Sequence, residues 1–247
     1  MKSPISKKHY IEDDILLVHK PVGISSFDVV RKLRRILGIK KIGHAGTLDP
    51  LARGLMIVGI GSGTKKMTKY LKLPKVYIAE ILVGKSTTTG DLEGEVVKEK
   101  FVGKGDLKKN DIEDTVVGMK GQHTLEVPLY SAIKVQGKAL YKYAREGQTP
   151  PYIPEKEMNI MNIQLLDAYH SGDNHIVQVR IQVSSGSYIR TLGEEFGRRM
   201  GYPATLKSLY RLSIGSYLDE DAYHFSKKDQ PKKSFWHGII RVLFEKK

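Results

Sequence analysis

Between residues 177 and 200 the hydrophobic period of this chain changes from two to about three and a half. Val177, Val179, Ile181 and Val183 alternate with Gln178, Arg180 and Gln182, the pattern of a strand with one face buried and one face wet. Shortly afterwards Ile189, Leu192, Phe196 and Met200 recur at helical spacing, which lays one apolar stripe along a helix. A chain that must bury both a sheet face and a helix stripe stacks one on the other.

The rest of the chain mixes the same two periods without regular alternation. Residues 15–18 form a short apolar run that reads as a buried strand, ended by Lys20-Pro21-Val22-Gly23. Ser25 and Asp28 stand at capping-box spacing. The helix they open runs to about Leu37, with Val29, Val30, Leu33, Ile36 and Leu37 on one face and Arg31, Arg34 and Arg35 on another; Gly38 is a suitable stop. A polar loop over 40–50 follows. Strands are expected over 54–60 and 76–83, helices over 63–71, 106–119 and 139–145, and extended chain over 127–134. Such an order is that of an α+β fold, since a doubly wound sheet would alternate strand and helix throughout.

Lys and Arg number 41 against 27 Asp and Glu, a formal net charge of +14. That excess favours a polyanionic partner, because neutralising phosphates releases counterions. Cysteine is absent, which removes disulfides, thiolate nucleophiles and Cys-ligated zinc and suits a reducing cytoplasm. The longest apolar run, residues 55–60, is far short of the ~20 residues that span a bilayer, so no membrane association is expected. Residues 219–247 turn Lys-rich and are too few for an independent domain of ~50 residues or more. The expected division is a body over 1–218 and a short basic tail that packs on it or extends as an arm.

Several residues admit two readings. Asp49 lies in a glycine-flanked loop before Pro50, where an ordinary Asp-Pro turn competes with a carboxylate presented to a pocket. Arg190 sits at the start of a helix and opposes its dipole; it either reaches water or pairs with a buried carboxylate that it keeps charged. Tyr77 is either core packing or a platform for a nucleobase, and His44 either an idle loop residue or one inserted into nucleic acid. Gly59-Ile-Gly61-Ser-Gly63-Thr64, with Glu80 downstream, mimics a dinucleotide fingerprint, but Thr64 occupies the third glycine position and no βαβ unit surrounds it. No His/Asp/Glu set has metal-ligand spacing in the sequence and no nucleophile elbow exists, so neither cofactor nor metal is expected.

Four ordered segments resemble the TruB family of tRNA pseudouridine synthases: residues 17–26 with Lys20-Pro21; Gly43-His-Ala-Gly-Thr-Leu-Asp-Pro-Leu-Ala52; residues 127–134 with 137–145; and Ser185-Gly-Ser-Tyr-Ile-Arg-Thr-Leu192 followed by Leu209-Tyr-Arg-Leu212. The resemblance implies a pseudouridine synthase fold, a mixed and mostly antiparallel sheet flanked by helices with a central basic RNA-binding cleft. It implies isomerisation of the T-loop uridine at tRNA position 55. That reaction exchanges no electrons or groups with anything else, so no cofactor is expected, and a monomer without an obligatory protein partner is expected. Asp49, Tyr77 and Arg190 become the catalytic set; Lys20 supports the first segment, Leu209 lines the pocket, and His44 takes the space of the flipped base. Arg31, Arg34 and Arg35 are left to hold RNA backbone. Whether the Asp attacks ribose or base, or assists an elimination, stays open. A small C-terminal RNA-binding domain carried by many relatives has no room here. The competing readings are an RNA-binding or RNA-folding protein on the same scaffold and a synthase acting on ribosomal RNA or in a guide-RNA particle.

Overall fold

The computed structural model describes residues 5–225. Its strands are β1 (Tyr10–Glu12), β2 (Ile15–Lys20), β3 (Ile42–His44), β4 (Arg53–Ile60), β5 (Lys75–Val83), β6 (Lys85–Thr87) and β7 (Val96–Glu99). They continue with β8 (Gly121–Glu126), β9 (Lys134–Val135), β10 (Lys138–Ala139), β11 (Glu155–Ser171), β12 (Asn174–Val183), β13 (Ala204–Ile214) and β14 (Tyr217–Leu218). The helices are α1 (Ser26–Leu37), α2 (Met67–Leu71), α3 (Lys109–Gly118), α4 (Leu140–Arg145) and α5 (Ile189–Met200).

One large mixed sheet runs β1-β2-β4-β13-β5-β12-β11-β8, with β3 added on β4 and β14 on β13. Its pairings are antiparallel except β4 with β13. The α+β expectation therefore holds, and the mostly antiparallel sheet with it. Strands β2 and β4 are buried on both faces: Leu16, Val18, Met56 and Val58 join the main core, whereas Ile15, Leu17, Leu55 and Ile57 join a second cluster with Met67, Tyr70 and Ile214. Two covered faces explain why residues 54–60 read as an unbroken apolar run. Helix α5 packs on β13 and β5, and α3 on β11.

Local chemistry sets the ends of α1. The Ser25 hydroxyl accepts from the Asp28 backbone N–H while the Asp28 carboxylate accepts from Ser25 N–H, and Gly38 closes the helix at φ 70°. Elsewhere boundaries shift. The helix expected over 106–119 begins at Lys109, and the one expected over 63–71 is a 3-10 turn, Gly61–Lys66, running into α2. Most of 127–134 is irregular, and only Lys134 enters a strand.

Residues 219–225 lie on the body. Tyr223 N–H donates to Leu17 O and His19 N–H to Tyr223 O, each at 2.9 Å. The Lys-rich segment after residue 225 is outside the described residues. Among the described residues no helix is long and apolar enough to cross a membrane.

Candidate active site

The Asp-Pro turn and the presented carboxylate turn out to be the same structure. Ala52 N–H donates to Asp49 O at 3.0 Å, closing the turn, while the Asp49 side chain, 37% exposed, points at Arg190. Three elements hold this β3–β4 loop. The Ser26 hydroxyl on α1 accepts from Leu48 N–H at 2.8 Å and donates to Leu48 O at 3.0 Å. From β13 the buried Arg211 donates to Leu55 O at 2.6 Å, Gly46 O at 3.2 Å and Thr47 O at 3.4 Å. Lys20, fully buried at the end of β2, donates to Ile24 O at 2.6 Å, Pro21 O at 3.0 Å and Pro50 O at 3.3 Å. Carbonyls on both sides of Asp49 are thus tied down, which is what a reactive group on a loop requires.

Arg190 occupies the first turn of α5, which has no side-chain cap. Its side chain is only 6% exposed, and Nε lies 3.0 Å from Asp49 Oδ2 and 4.0 Å from Asp91 Oδ2. The other two guanidinium nitrogens donate to Thr89 O at 2.7 Å and Tyr130 O at 3.0 Å. The partner demanded by an arginine at a helix N-terminus is therefore present. Four groups from three separate segments fix the planar fork, so its direction towards Asp49 is not free to vary.

The electrostatics are closely balanced. Burial pushes the Asp49 carboxyl above its usual range and neighbouring Asp91 adds to this, while Arg190 and Lys20 oppose it. The expectation that arginine keeps this carboxylate fully in its ordinary charged range thus meets a stronger desolvation. Burial likewise raises Glu93, with Asp91 and Asp49 contributing. It lowers the Lys20 amine to about 7, against the attraction of Asp49 and Glu93. His44, at the end of β3, is held below its usual value by burial and then by the Arg211 charge.

Register places the remaining residues. Arg211 pairs with Tyr77 and Leu209 with Ala79 between β13 and β5, so Tyr77, Leu209 and Arg211 share one sheet face. Tyr77 and Leu209 are buried there and belong to the main core. Arg31, Arg34 and Arg35 lie on α1; Arg31 and Arg35 are exposed and Arg34 is half-buried, and Arg31 pairs with Asp28.

Three participants carried no signal of their own in the sequence. Thr89 and Asp91 sit in a polar segment without periodicity, and Asp91 is buried, accepting from Thr89 Oγ1 at 2.6 Å and Glu93 N–H at 3.0 Å. Tyr130 contributes only its carbonyl. Arg211 was visible as part of a quoted segment, yet its function as a clamp depends on distant carbonyls.

One histidine–carboxylate group is assembled by the fold rather than by sequence spacing. Candidate ligand atoms of His19, Asp219 and His224 lie within 4.8 Å of one another. Asp219 Oδ2 already accepts from Tyr210 Oη at 2.8 Å and lies 2.7 Å from His19 Nδ1. The two imidazoles stack at 4.3 Å and 13°, so their in-plane lone pairs run side by side instead of converging as metal ligation needs. The trio fastens residues 219–225 to β2. Gly59 and Gly63 of the mimicked dinucleotide fingerprint serve close packing: a Cβ on Gly59 would fall 2.6 Å from Gly63 O, and one on Gly63 2.3 Å from Asp14 O.

The chain is similar in sequence and in fold to known proteins. Residues 34–189 match the model of the TruB family pseudouridylate synthase (N terminal domain). The tRNA pseudouridine synthase B of Endomicrobium trichonymphae is 40% identical over 221 residues, 90% of this chain and 93% of that protein. That of Bacillus subtilis (strain 168) is 38% identical over 89% of this chain and 71% of its own length. In fold, the chain is similar to one in a Cbf5-Nop10-Gar1 complex, with a TM-score of 0.64 at 24% identity, covering 87% of this chain and 53% of that one. A chain of an H/ACA RNP bound to a substrate RNA gives 0.62 at 21% identity, over 85% and 50%; this chain spans about half the length of both. On the family model and the two sequence relatives together, this chain belongs to the TruB family of pseudouridylate synthases.

Proposed function

We propose that this chain isomerises uridine to pseudouridine in the T-loop of tRNA, at position 55. The observation that carries the reading is the 3.0 Å pairing of Asp49 with the immobilised Arg190, inside a loop clamped from β2, β13 and α1. The two curated relatives named above are tRNA pseudouridine synthases B.

The reaction breaks the bond from ribose C1′ to uracil N1 and joins C1′ to C5; C5 gives up its hydrogen and N1 takes one. Atoms and electrons balance within the nucleoside, so the reading asks for no cofactor. In this reading Asp49 is the carboxylate that meets the developing charge at the reacting carbons, held on course by Arg190. Burial raises its proton affinity and makes the charged form the more reactive towards an electrophilic carbon. Tyr77 and Leu209 form the wall on which the extruded uracil rests, and extrusion costs a few kcal/mol that RNA contacts must offset. His44, kept neutral by its burial, enters the T-loop where the base has left. Lys20 shapes the turn behind Pro50. In this reading the basic charge of the chain faces the RNA across a central cleft, with residues 1–218 as the catalytic body and 219–247 as a short basic tail. The chain acts as a monomer in the cytoplasm, without an obligatory protein partner.

A T-arm minihelix carrying uridine tritiated at C5 tests the reading. Wild-type protein is expected to release tritium, and Asp49→Asn to release none while its RNA affinity stays within a few fold. Normal turnover by Asp49→Asn removes the mechanism; RNA affinity without release by the wild type favours the RNA-binding scaffold instead.

A further inference from the structure

Phe27, in the first turn of α1, keeps 53% of its surface in water. Its position is not loose. The preceding Ser26 is bonded to both backbone groups of Leu48, next to Asp49, so the backbone of this turn is tied to the loop that carries the candidate active site. Arg31 and Arg34 follow at the helical intervals that place them on the same stripe. Their guanidinium carbons stand 5.4 and 5.6 Å from the Phe27 ring centroid.

The two arginines are not equivalent. Arg31 is paired with Asp28. Among the described residues, the Arg34 guanidinium makes no hydrogen bond or ion pair, and its Nε is shielded from solvent without a partner. An exposed ring and an unneutralised guanidinium in contact with it favour a ligand that is flat and apolar at one point and anionic at the next. A nucleotide has this form, with a π-face for the ring and a phosphate for the arginine. The opposite stripe of α1, with Val29, Val30 and Leu33, is buried in the core, so the helix presents this face rigidly.

We propose that Phe27, Arg31 and Arg34 form a nucleotide subsite outside the reaction site, where an unpaired base of the substrate RNA stacks on Phe27 and an adjoining phosphate meets Arg34. It rests on the RNA-modifying reading given above. The subsite contributes binding that is equal in the ground and transition states, because it lies off the reacting atoms.

The test uses the full-length chain and a T-arm minihelix, with dissociation constants from filter binding at several salt concentrations and turnover from tritium release. Phe27→Leu keeps apolar bulk and removes the stacking face; it is expected to raise Kd and KM about five- to tenfold with kcat and the salt slope unchanged. Arg34→Gln is expected to lower the salt slope by about 0.7–0.9, one phosphate contact. Thermal midpoints close to wild type for both variants exclude misfolding as the cause. An unchanged Kd for Phe27→Leu overturns the subsite, and it is also the result expected if this face instead receives a protein. Failure of the wild type to form pseudouridine would instead count against the functional reading, and the binding arm would still decide the subsite.

Discussion

Asp49 and Arg190 meet at 3.0 Å from the β3–β4 loop and the first turn of α5, yet Asp49 holds its proton more tightly than an ordinary aspartate because burial outweighs the arginine. In the folded state its pKa lies above the unfolded value of about 3.9. Its stability contribution is therefore complete below that unfolded value and is lost as pH rises through the folded one. Asp49→Asn removes this penalty and still offers Arg190 an acceptor oxygen. The variant is expected to melt at or above the wild-type temperature at neutral pH, with the difference vanishing near pH 4, while turnover is abolished. Melting curves at the two pH values decide it; a variant clearly less stable at neutral pH contradicts the balance described here.

Lys20 has the reverse linkage. Its amine is lowered to about 7 by burial, against an unfolded value of about 10.4. Between those values the unfolded chain binds more protons, so the lysine's contribution to stability rises with pH over that window, by at most about 1.4 kcal/mol per pH unit. Lys20→Met also leaves the carbonyls of Pro21, Ile24 and Pro50 without this donor. Urea midpoints of wild type and Lys20→Met at pH 6.5, 8 and 9.5 are expected to diverge as pH increases. Parallel curves would show that the buried amine does not titrate in this range.

Gly54 and Arg211 are partners across the one parallel pairing of the large sheet. Gly54 has φ 112°, and a Cβ there would fall 2.3 Å from Arg211 O, a clash with backbone that no rotamer relieves. Gly54→Ala is expected to cost about 3 kcal/mol or more and to reduce turnover even where folded, since Arg211 is the clamp on Gly46 and Thr47. Arg211→Lys keeps the charge but cannot reach three carbonyls from one nitrogen in the same geometry; its kcat is expected to fall more than its RNA affinity. Equal kcat in wild type and Arg211→Lys would reduce the residue to a packing role.

What could be read in advance follows from how far each signal reaches along the chain. Ser25, Asp28 and Gly38 define α1 because capping is local, and Val177 to Val183 define β12 because one face is dry. Strand β11 escaped notice: only Met158 and Ile160 are fully buried, and register shifts at Ile160/Asn162 and Leu165/Asp167 break its alternation into short pieces. Residues 42–44 pair with β4 although they sit in a stretch read as loop. For the candidate site, Asp49 and Arg190 were legible from ordered segments of the chain. The Thr89 carbonyl, Asp91 and the Arg211 clamp were not, because each is defined by backbone groups that only folding brings near.

Asp219 gives the last prediction, since it joins three pieces of chain. Its carboxylate is buried; Oδ2 lies 2.7 Å from His19 Nδ1 on β2 and accepts from Tyr210 Oη on β13 at 2.8 Å. The segment that follows it continues to Tyr223, which bonds both Leu17 and His19. Asp219→Ala leaves His19 and Tyr210 without their acceptor in a part-buried setting, a loss of about 2–4 kcal/mol. Lys20, the neighbour of His19, supports the turn behind Pro50, so the damage is transmitted to the site only if β2 itself shifts. The expected result is a lower urea midpoint with kcat per folded molecule close to wild type, partly restored in Asp219→Asn, which keeps one acceptor oxygen. A variant of normal stability with reduced kcat would mean that this segment acts on the reaction and does more than fasten residues 219–225 to the body.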